Sequence, residues 1–254
     1  MVLIEEDLTA LQFTFYTFII HEFFFFLFVS FYNIIDYFGI FPNSKIRKIT
    51  RPNDQPRKLY WFTTLGFNHI IIGLPGAYSI YATYQYVGVQ FSGPLPSYST
   101  ILAQFIAYAI IDDFVFYWGH RLMHLPFLYK HIHKQHHSFK RSNAIAGEYF
   151  HPIDYIISGI LPIMVGTLTL RPHILVVWGW LVLRIWEACD GHSGYDLIFV
   201  PFRYFPFRPG AQVHDFHHSQ NAGNYGSLTS LWDWLCGTDL SYKDYIARQN
   251  IKVE

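Results

Sequence analysis

Charged residues are scarce in this chain. Only 14% of its 254 residues are Asp, Glu, Lys or Arg, whereas soluble domains carry about 25%. Hydrophobic residues make up 52% and aromatic residues 20%. The formal net charge is zero, and the basic residues gather in loops, so nothing indicates nucleic-acid binding. This composition excludes an ordinary soluble domain and favours an integral-membrane protein.

Several common motifs are also missing. The two cysteines, Cys189 and Cys236, give no disulfide framework. No Gly-x-Gly-x-x-Gly fingerprint follows a strand, and His21-Glu22 lacks the second histidine of a metalloprotease. There is no internal repeat, low-complexity tail or linker, so we expect one domain over residues 1–254. The first apolar run follows an acidic stretch rather than a basic one, which predicts a retained membrane helix and not a cleaved signal peptide.

Long apolar runs are what the chain has in abundance. About 20 apolar residues are needed to cross a bilayer, and three stretches approach this length, at 11–32, 60–83 and 99–118. Two shorter runs, at about 154–170 and 174–189, are predicted to form a hairpin that enters the membrane and returns. The sequence therefore predicts an all-α, polytopic membrane helix bundle.

Charge placement predicts its orientation. The loop over residues 37–59 is basic and the loop over 85–98 is uncharged, so the positive-inside rule places the first on the cytoplasmic side. The chain returns to that side after residue 118, where it is basic again. The basic residues are Lys45, Arg47, Lys48, Arg51, Arg57 and Lys58 in the first loop and Arg121, Lys130, Lys134, Lys140 and Arg141 in the second region.

Histidines form three clusters with helix-like spacing. Residues three or four apart share one helix face, so each cluster can aim two or three imidazoles at one point. A single tetrahedral zinc takes four ligands, so nine candidates indicate two ions in a His-rich cytoplasmic cap. The candidates are His120 and His124, then His133, His136 and His137, then His214, His217 and His218, with His192 between the last two clusters.

Other roles for histidine remain open at this point. Histidines also occur as buried core residues, exposed groups or zinc-storing tracts, but storage tracts lack this regular spacing. His21 and His69 lie in apolar runs, and His131 and His173 fall outside the clusters, so all four are expected to be structural. An iron pair would suit oxygen activation on an apolar substrate, whereas zinc would suit hydrolysis or a structural role.

Carboxylates are few near these clusters. A metal-binding histidine usually donates its other ring N–H to a carboxylate or a carbonyl. Candidates for that role are Asp113, Glu148, Asp190 and Asp215. Asp113 and its neighbour Asp112 could instead mark a hydrated helix end. Aromatic residues could wall a lipid channel or serve simple packing: Phe114, Tyr117, Trp118, Trp180 and Trp186.

The order of the clusters resembles the fatty acid hydroxylase and sterol desaturase superfamily. The runs Asp113-Phe-Val-Phe-Tyr-Trp-Gly-His120, Gly147-Glu-Tyr-Phe-His-Pro152 and Trp232-Asp-Trp-Leu-Cys-Gly-Thr238 are similar to those of the 4-methylsterol monooxygenases. The similarity is dense from about residue 112 to 238. The stretch Ser142-Asn-Ala-Ile145 and Val213 depart from that branch, which leaves the substrate open.

The resemblance implies an enzyme of the endoplasmic reticulum membrane with two iron ions, which zinc can replace after purification. It implies oxidation of a sterol 4-methyl group with O2 and electrons from NAD(P)H, delivered by cytochrome b5 and its reductase. Carried over, the metal ligands are the nine clustered histidines, and His151 belongs to a His-Pro-x-acid element, where we favour a supporting role over ligation. Alternatives are a sterol desaturase, a sterol side-chain hydroxylase, a fatty-acyl hydroxylase, or a non-enzymatic zinc-containing sterol-binding protein.

Overall fold

The computed structural model describes residues 2–4, 6–46, 56–139, 142–208 and 210–251. Within these ranges the regular structure is almost entirely helical, and the predicted all-α membrane bundle is confirmed. The two short strands described, β1 (Val2–Ile4) and β2 (Gly93–Pro94), pair antiparallel beside the first helix.

The first half of the chain contains four main helices. Helix α1 (Ala10–Phe38) comes first. Helix α2 (Lys58–Gly66), a π-helical segment (Phe67–Gly73) and α3 (Leu74–Val87) follow and are continuous with one another. Helix α4 (Tyr98–Met123) ends in the first histidine cluster. Helix α1 starts at a capping box between Thr9 and Gln12 and ends at Gly39, whose φ of 63° terminates the helix.

The second half contains shorter elements around the histidines. They are α5 (Pro126–His131), 3-10 helices at His133–Ser138 and Ala144–Glu148, α6 (Pro152–Asp154), a π-helical segment (Tyr155–Ile160), α7 (Leu161–Leu170), α8 (Ile174–Ser193), a 3-10 helix at Pro201–Tyr204, α9 (Gly210–Gln220), α10 (Leu231–Cys236) and α11 (Leu240–Ile251). Helices α7 and α8 cover most of the two apolar runs for which a membrane hairpin is predicted, and residues 171–173 join them.

Three helices of the described ranges are long and apolar enough to cross a membrane: Ala10–Phe38, Tyr98–Met123 and the combined helix Pro152–Leu170. The stretches predicted at 60–83 and 174–189 are helical but are not among these three. In α8 the reason is visible, because Arg184, Glu187 and Asp190 interrupt its apolar sequence and are buried.

Helix α8 is the centre of the bundle. It packs against α1, against α9 and against the 3-10 helix Ala144–Glu148, while α4 packs along α7. At the crossing with the 3-10 helix, a Cβ added to Gly147 would lie 2.9 Å from the Ala188 carbonyl oxygen, so only glycine permits this approach. Trp180 stacks on Tyr108 of α4 at 5.2 Å between ring centroids, which joins α8 to α4.

The basic loops are only partly described. Arg47, Lys48 and Arg51, and also Lys140 and Arg141, lie outside the described residues. Lys45 forms an ion pair with Asp36 at the end of α1. The side of the membrane on which the histidines lie therefore stays a prediction.

Candidate metal centre

Four separate elements bring the nine clustered histidines to one place. His120 and His124 lie one turn apart at the end of α4, and His192 lies near the end of α8. The cluster at 133–137 lies in a 3-10 helix rather than an α-helix, and the cluster at 214–218 lies in α9. Distant segments of the sequence thus converge on one buried site.

The nine imidazoles separate into two groups with converging ring nitrogens. Within each group the possible ligand atoms all lie within 4.8 Å of one another. The first group is His120, His124, His133, His137 and His217, and the second is His136, His192, His214 and His218. Two groups are what the sequence predicts for two ions.

The spacing within the groups fits metal coordination. The Nε2 atom of His217 lies 3.1 Å from that of His120 and 3.1 Å from that of His124. In the second group, His192 Nε2 lies 2.9 Å from His214 Nε2 and 3.3 Å from His136 Nε2. Nitrogens bound about 2.1 Å from one ion lie roughly 3.0–3.4 Å apart. The donors present therefore suit two imidazole-bound ions.

The far ring nitrogens hold the imidazoles in place. The Nδ1–H groups of His120, His192 and His217 donate to the backbone carbonyls of Tyr225, Ala188 and Gly223 at 2.8, 2.7 and 2.6 Å. A donating Nδ1–H leaves the Nε2 lone pair directed inward, which is the tautomer that a metal ligand needs. Backbone carbonyls therefore fix the orientation of three of the nine rings before any metal binds.

Burial also keeps several of the clustered imidazoles uncharged. Burial, reinforced by neighbouring imidazoles, lowers the pKa of His136, His137 and His218 well below its usual value. These rings are neutral at pH 7, and neutral imidazole is the form that binds iron, zinc or copper.

One carboxylate supports a ring in the way expected, but it is Asp154. His133 Nδ1 donates to Asp154 Oδ2 at 2.6 Å, and both side chains are buried. Sequence reasoning missed this residue, although the His-Pro-x-acid element contained the signal, since Asp154 is its acid. His151 in the same element accepts a hydrogen bond from the Ile153 N–H and caps α6.

The predicted carboxylates have other partners. Asp113 Oδ1 accepts from the backbone N–H groups of Leu228 and Thr229, both at 3.1 Å. Asp190 accepts from the Tyr32 hydroxyl and from Arg208. The bonds described for these two carboxylates therefore position the polypeptide around the site and reach no clustered imidazole.

The remaining two predicted carboxylates differ from each other. Asp215 accepts a hydrogen bond from the Ser142 hydroxyl. Glu148 pairs with His21 and His69, which were expected to be structural but form a third cluster together with Glu22. His21 and Glu22 are neighbours in the sequence, but no spacing indicates that His69 and Glu148 join them.

A cavity of about 640 Å³ connects the histidine groups with the membrane helices. Histidines of both groups line it, among them His120, His136 and His192, and its walls are mostly apolar. None of the five aromatic residues considered for a channel wall lines it, which favours the alternative of packing or lipid contact for them. Phe114 and Trp118 are exposed, and the aromatic lining is instead Phe13, Phe18, Tyr84, Phe116, Phe150, Tyr155, Trp178 and Phe202.

The helices and the site define an integral-membrane protein whose paired polyhistidine clusters have metal-binding geometry. The family model described as fatty acid hydroxylase matches residues 105–238, and the chain belongs to this family. That match covers every clustered histidine.

Curated relatives cover most of the chain. A very-long-chain aldehyde decarbonylase of Oryza sativa subsp. indica is 36% identical over 232 residues, 90% of this chain and 86% of the relative. A methylsterol monooxygenase of Arabidopsis thaliana is 35% identical over 89% of this chain and 85% of its own length. Methylsterol monooxygenase 1 of Rattus norvegicus is also 35% identical, over 89% of this chain and 77% of its own length. No solved structure is significantly similar to the chain.

Proposed function

We propose that this protein is a membrane di-iron monooxygenase that oxidises the 4-methyl group of sterol intermediates in sterol biosynthesis. The observation that carries the proposal is that histidines of both groups line one mostly apolar cavity of about 640 Å³. Such a volume lies within the usual range for small-molecule sites, about 300–1,000 Å³. The methylsterol monooxygenases among the relatives support the reaction and substrate class.

Two irons bound by the nine histidines would supply oxygen activation. The chain's own contribution is to fix the ligands and to exclude water. The backbone carbonyl of Tyr225 orients His120, and Asp154 orients His133. Most of the clustered histidines are themselves buried; His120 and His217, for example, are 1% and 0% exposed. A dry, preset site spares the protein any rearrangement during the reaction.

The cavity would position the reacting carbon. Phe116 of α4, Trp178 and Leu181 of α8 and Met164 of α7 line it with apolar surface. A rigid polycyclic lipid held by such walls loses little further entropy when a methyl group is aimed at the histidines. Arg184, Glu187 and Ser227 add polar groups to the same lining, and the Ser227 hydroxyl donates to Glu187.

Electrons would come from outside the chain. Cytochrome b5 and its reductase, which uses NAD(P)H, fit a protein that has no dinucleotide fingerprint of its own. Lys130 and Lys134 are exposed next to the second histidine cluster, and such charges can dock an acidic carrier. We place the protein in the endoplasmic reticulum membrane with the histidine clusters facing the cytoplasm.

A second candidate function is conversion of a very-long-chain aldehyde to a hydrocarbon. Two decarbonylases of Oryza sativa are 36% and 34% identical to the chain, as similar as the methylsterol monooxygenases. The same histidine site would serve both reactions, and so it would serve a sterol desaturase, a sterol side-chain hydroxylase or a fatty-acyl hydroxylase. A zinc-containing sterol-binding protein without turnover is the alternative outside enzymes.

The test is complementation of a yeast strain that lacks its sterol 4-methyl oxidase. The intact chain and His131→Ala, which changes an exposed histidine, are expected to clear 4,4-dimethylsterols as measured by mass spectrometry. His136→Ala is expected to leave them in place. If the inserted intact chain clears none, the sterol assignment is wrong, and formation of a hydrocarbon from a supplied very-long-chain aldehyde would then support the second candidate.

A further inference from the structure

A third cluster of histidine and carboxylate side chains lies away from the nine histidines. His21 and Glu22 come from α1, His69 from the π-helical segment Phe67–Gly73, and Glu148 from the 3-10 helix Ala144–Glu148. His69 is 4% exposed and Glu148 is 7% exposed. All four line the same cavity as the metal centre. A π-helical segment often marks a functional position.

The two imidazoles of this cluster share one orientation. Glu22 Oε1 lies 2.9 Å from His21 Nδ1 and 2.8 Å from His69 Nδ1. One carboxylate therefore accepts from both Nδ1–H groups and turns both Nε2 atoms to the opposite side. Carboxylates play this role behind histidine ligands of metal ions.

Both Nε2 atoms meet the carboxylate of Glu148. His21 Nε2 lies 3.2 Å from Glu148 Oε1, and His69 Nε2 lies 2.8 Å from Glu148 Oε2. The His69 contact is close but is not aligned as a hydrogen bond, and both of its atoms are buried without a hydrogen-bond partner among the described residues. The two Nε2 atoms and the Glu148 oxygens thus converge on one point without a well-aligned hydrogen bond between His69 and Glu148. A metal ion bound between these atoms would explain this arrangement.

We propose that His21, His69 and Glu148 bind a third metal ion, a divalent cation of the zinc class, with Glu22 orienting both histidines. Two histidines and one carboxylate are a common ligand set of zinc sites that keep an open position. The divalent charge would balance the carboxylates of the buried Glu148 and the half-buried Glu22, because a buried charge is costly without compensation. The open position would face the cavity and take water or a substrate oxygen.

The competing arrangement is a metal-free ring in which both histidines are protonated and paired with both glutamates. It balances charge equally well, so the number of ions bound distinguishes the two. The protein is purified in detergent, stripped with a chelator and titrated with Zn²⁺, and the bound metal is measured by mass spectrometry. We expect the intact chain to saturate at three equivalents.

Variants of the cluster test whether the third equivalent of Zn²⁺ binds there. His69→Gln and Glu148→Gln are each expected to saturate at two equivalents, and the matched control His131→Gln at three. Glu22→Ala, which removes the oxygen that accepts from both Nδ1–H groups, is expected to keep three equivalents but to weaken one of them about 10–100-fold. Saturation of the intact chain at two equivalents, or at three that neither variant reduces, would overturn the proposal.

Anomalous scattering at the zinc edge from the intact protein gives an answer that needs no variant. A peak between His69 and Glu148 supports the site, and peaks at the nine histidines alone contradict it. This result is independent of the proposed reaction, because the third ion can be present in a protein that does not oxidise sterols.

Discussion

His133 donates a hydrogen bond from Nδ1 to Asp154 Oδ2 over 2.6 Å, and the two side chains are 1% and 0% exposed. The other oxygen of Asp154 accepts from the Ser158 hydroxyl at 2.8 Å. The carboxylate is thus held from both sides, and it fixes the His133 Nε2 atom 3.0 Å from that of His137.

Asp154→Ala is expected to weaken metal binding at the five-histidine group. Loss of a carboxylate behind a histidine ligand costs about 10–100-fold in metal affinity. Isothermal titration with Fe²⁺ or Zn²⁺ after chelator treatment measures this change. Asp239→Ala serves as the control, because the ion pair described for Asp239 is with Lys243 on α11 and not with a histidine. Equal affinities for the two variants would contradict the role given to Asp154.

Asp113 is expected to tolerate Asn but not Ala. Its Oδ1 accepts both the Leu228 and the Thr229 backbone N–H groups, and an amide oxygen can do the same. Ala would leave the buried Leu228 donor unpaired, at about 1–3 kcal/mol, and would also remove the partner of the half-buried Thr229 N–H. This turn follows Tyr225, whose carbonyl orients His120. The midpoint temperature of unfolding and the iron content should both fall in Asp113→Ala. In Asp113→Asn both should stay near the values of the unchanged chain. A less stable Asp113→Asn than Asp113→Ala would contradict this role of Asp113.

Gly147→Ala is expected to destabilise the protein by about 1–3 kcal/mol, the usual cost of overpacking. The new Cβ would lie 2.9 Å from the Ala188 carbonyl oxygen, which helix α8 cannot move freely. Gly66→Ala is the matched control, since its Cβ meets nothing within 4 Å and the residue is helical. In detergent, the midpoint temperature of thermal unfolding should be lowest for Gly147→Ala, and that of Gly66→Ala should equal or exceed that of the unchanged chain. If Gly147→Ala is as stable as the control, helix α8 can shift to accommodate the added Cβ, and the predicted destabilisation is wrong.

Ala77→Trp is expected to impair turnover by filling the cavity. Ala77 lies on the cavity wall in α3, whereas Ala82 on the same helix is exposed. A loss of 1.4 kcal/mol in substrate binding changes affinity about tenfold, so kcat/KM for the sterol should fall by about tenfold or more. Ala82→Trp should leave it unchanged, and metal content should be the same in both. Equal kinetics for the two variants would place the substrate elsewhere.

The arrangement of the nine histidines was predictable from spacing, because residues three or four apart in a helix-like turn point to one side whatever surrounds them. The carboxylate partners were not. Asp113 shares a face with His120, but seven residues separate them by about 10.5 Å along a helix, and its oxygens instead reach residues 228 and 229. Contacts between distant segments leave no periodic trace in a single sequence.

The third cluster and the cavity wall illustrate the same limit. His21 and His69 lie in apolar runs, where a histidine is expected to be structural, and only the fold brings Glu148 between them. The five aromatic residues considered for a channel wall serve packing or lie exposed, and helical spacing alone does not show which face of α4 meets the cavity. Phe116 lies on that face, whereas Phe114 and Trp118 point outward.

The most direct test of the account is single turnover with isotopic oxygen. The iron-loaded protein is mixed with a 4,4-dimethylsterol, a chemical reductant and ¹⁸O2, and the products are analysed by mass spectrometry beside His136→Ala. We predict one ¹⁸O atom in a 4-hydroxymethyl sterol from the intact chain and none from the variant. An intact chain that holds two irons yet leaves the sterol unlabelled would contradict the proposed oxidation of a sterol 4-methyl group.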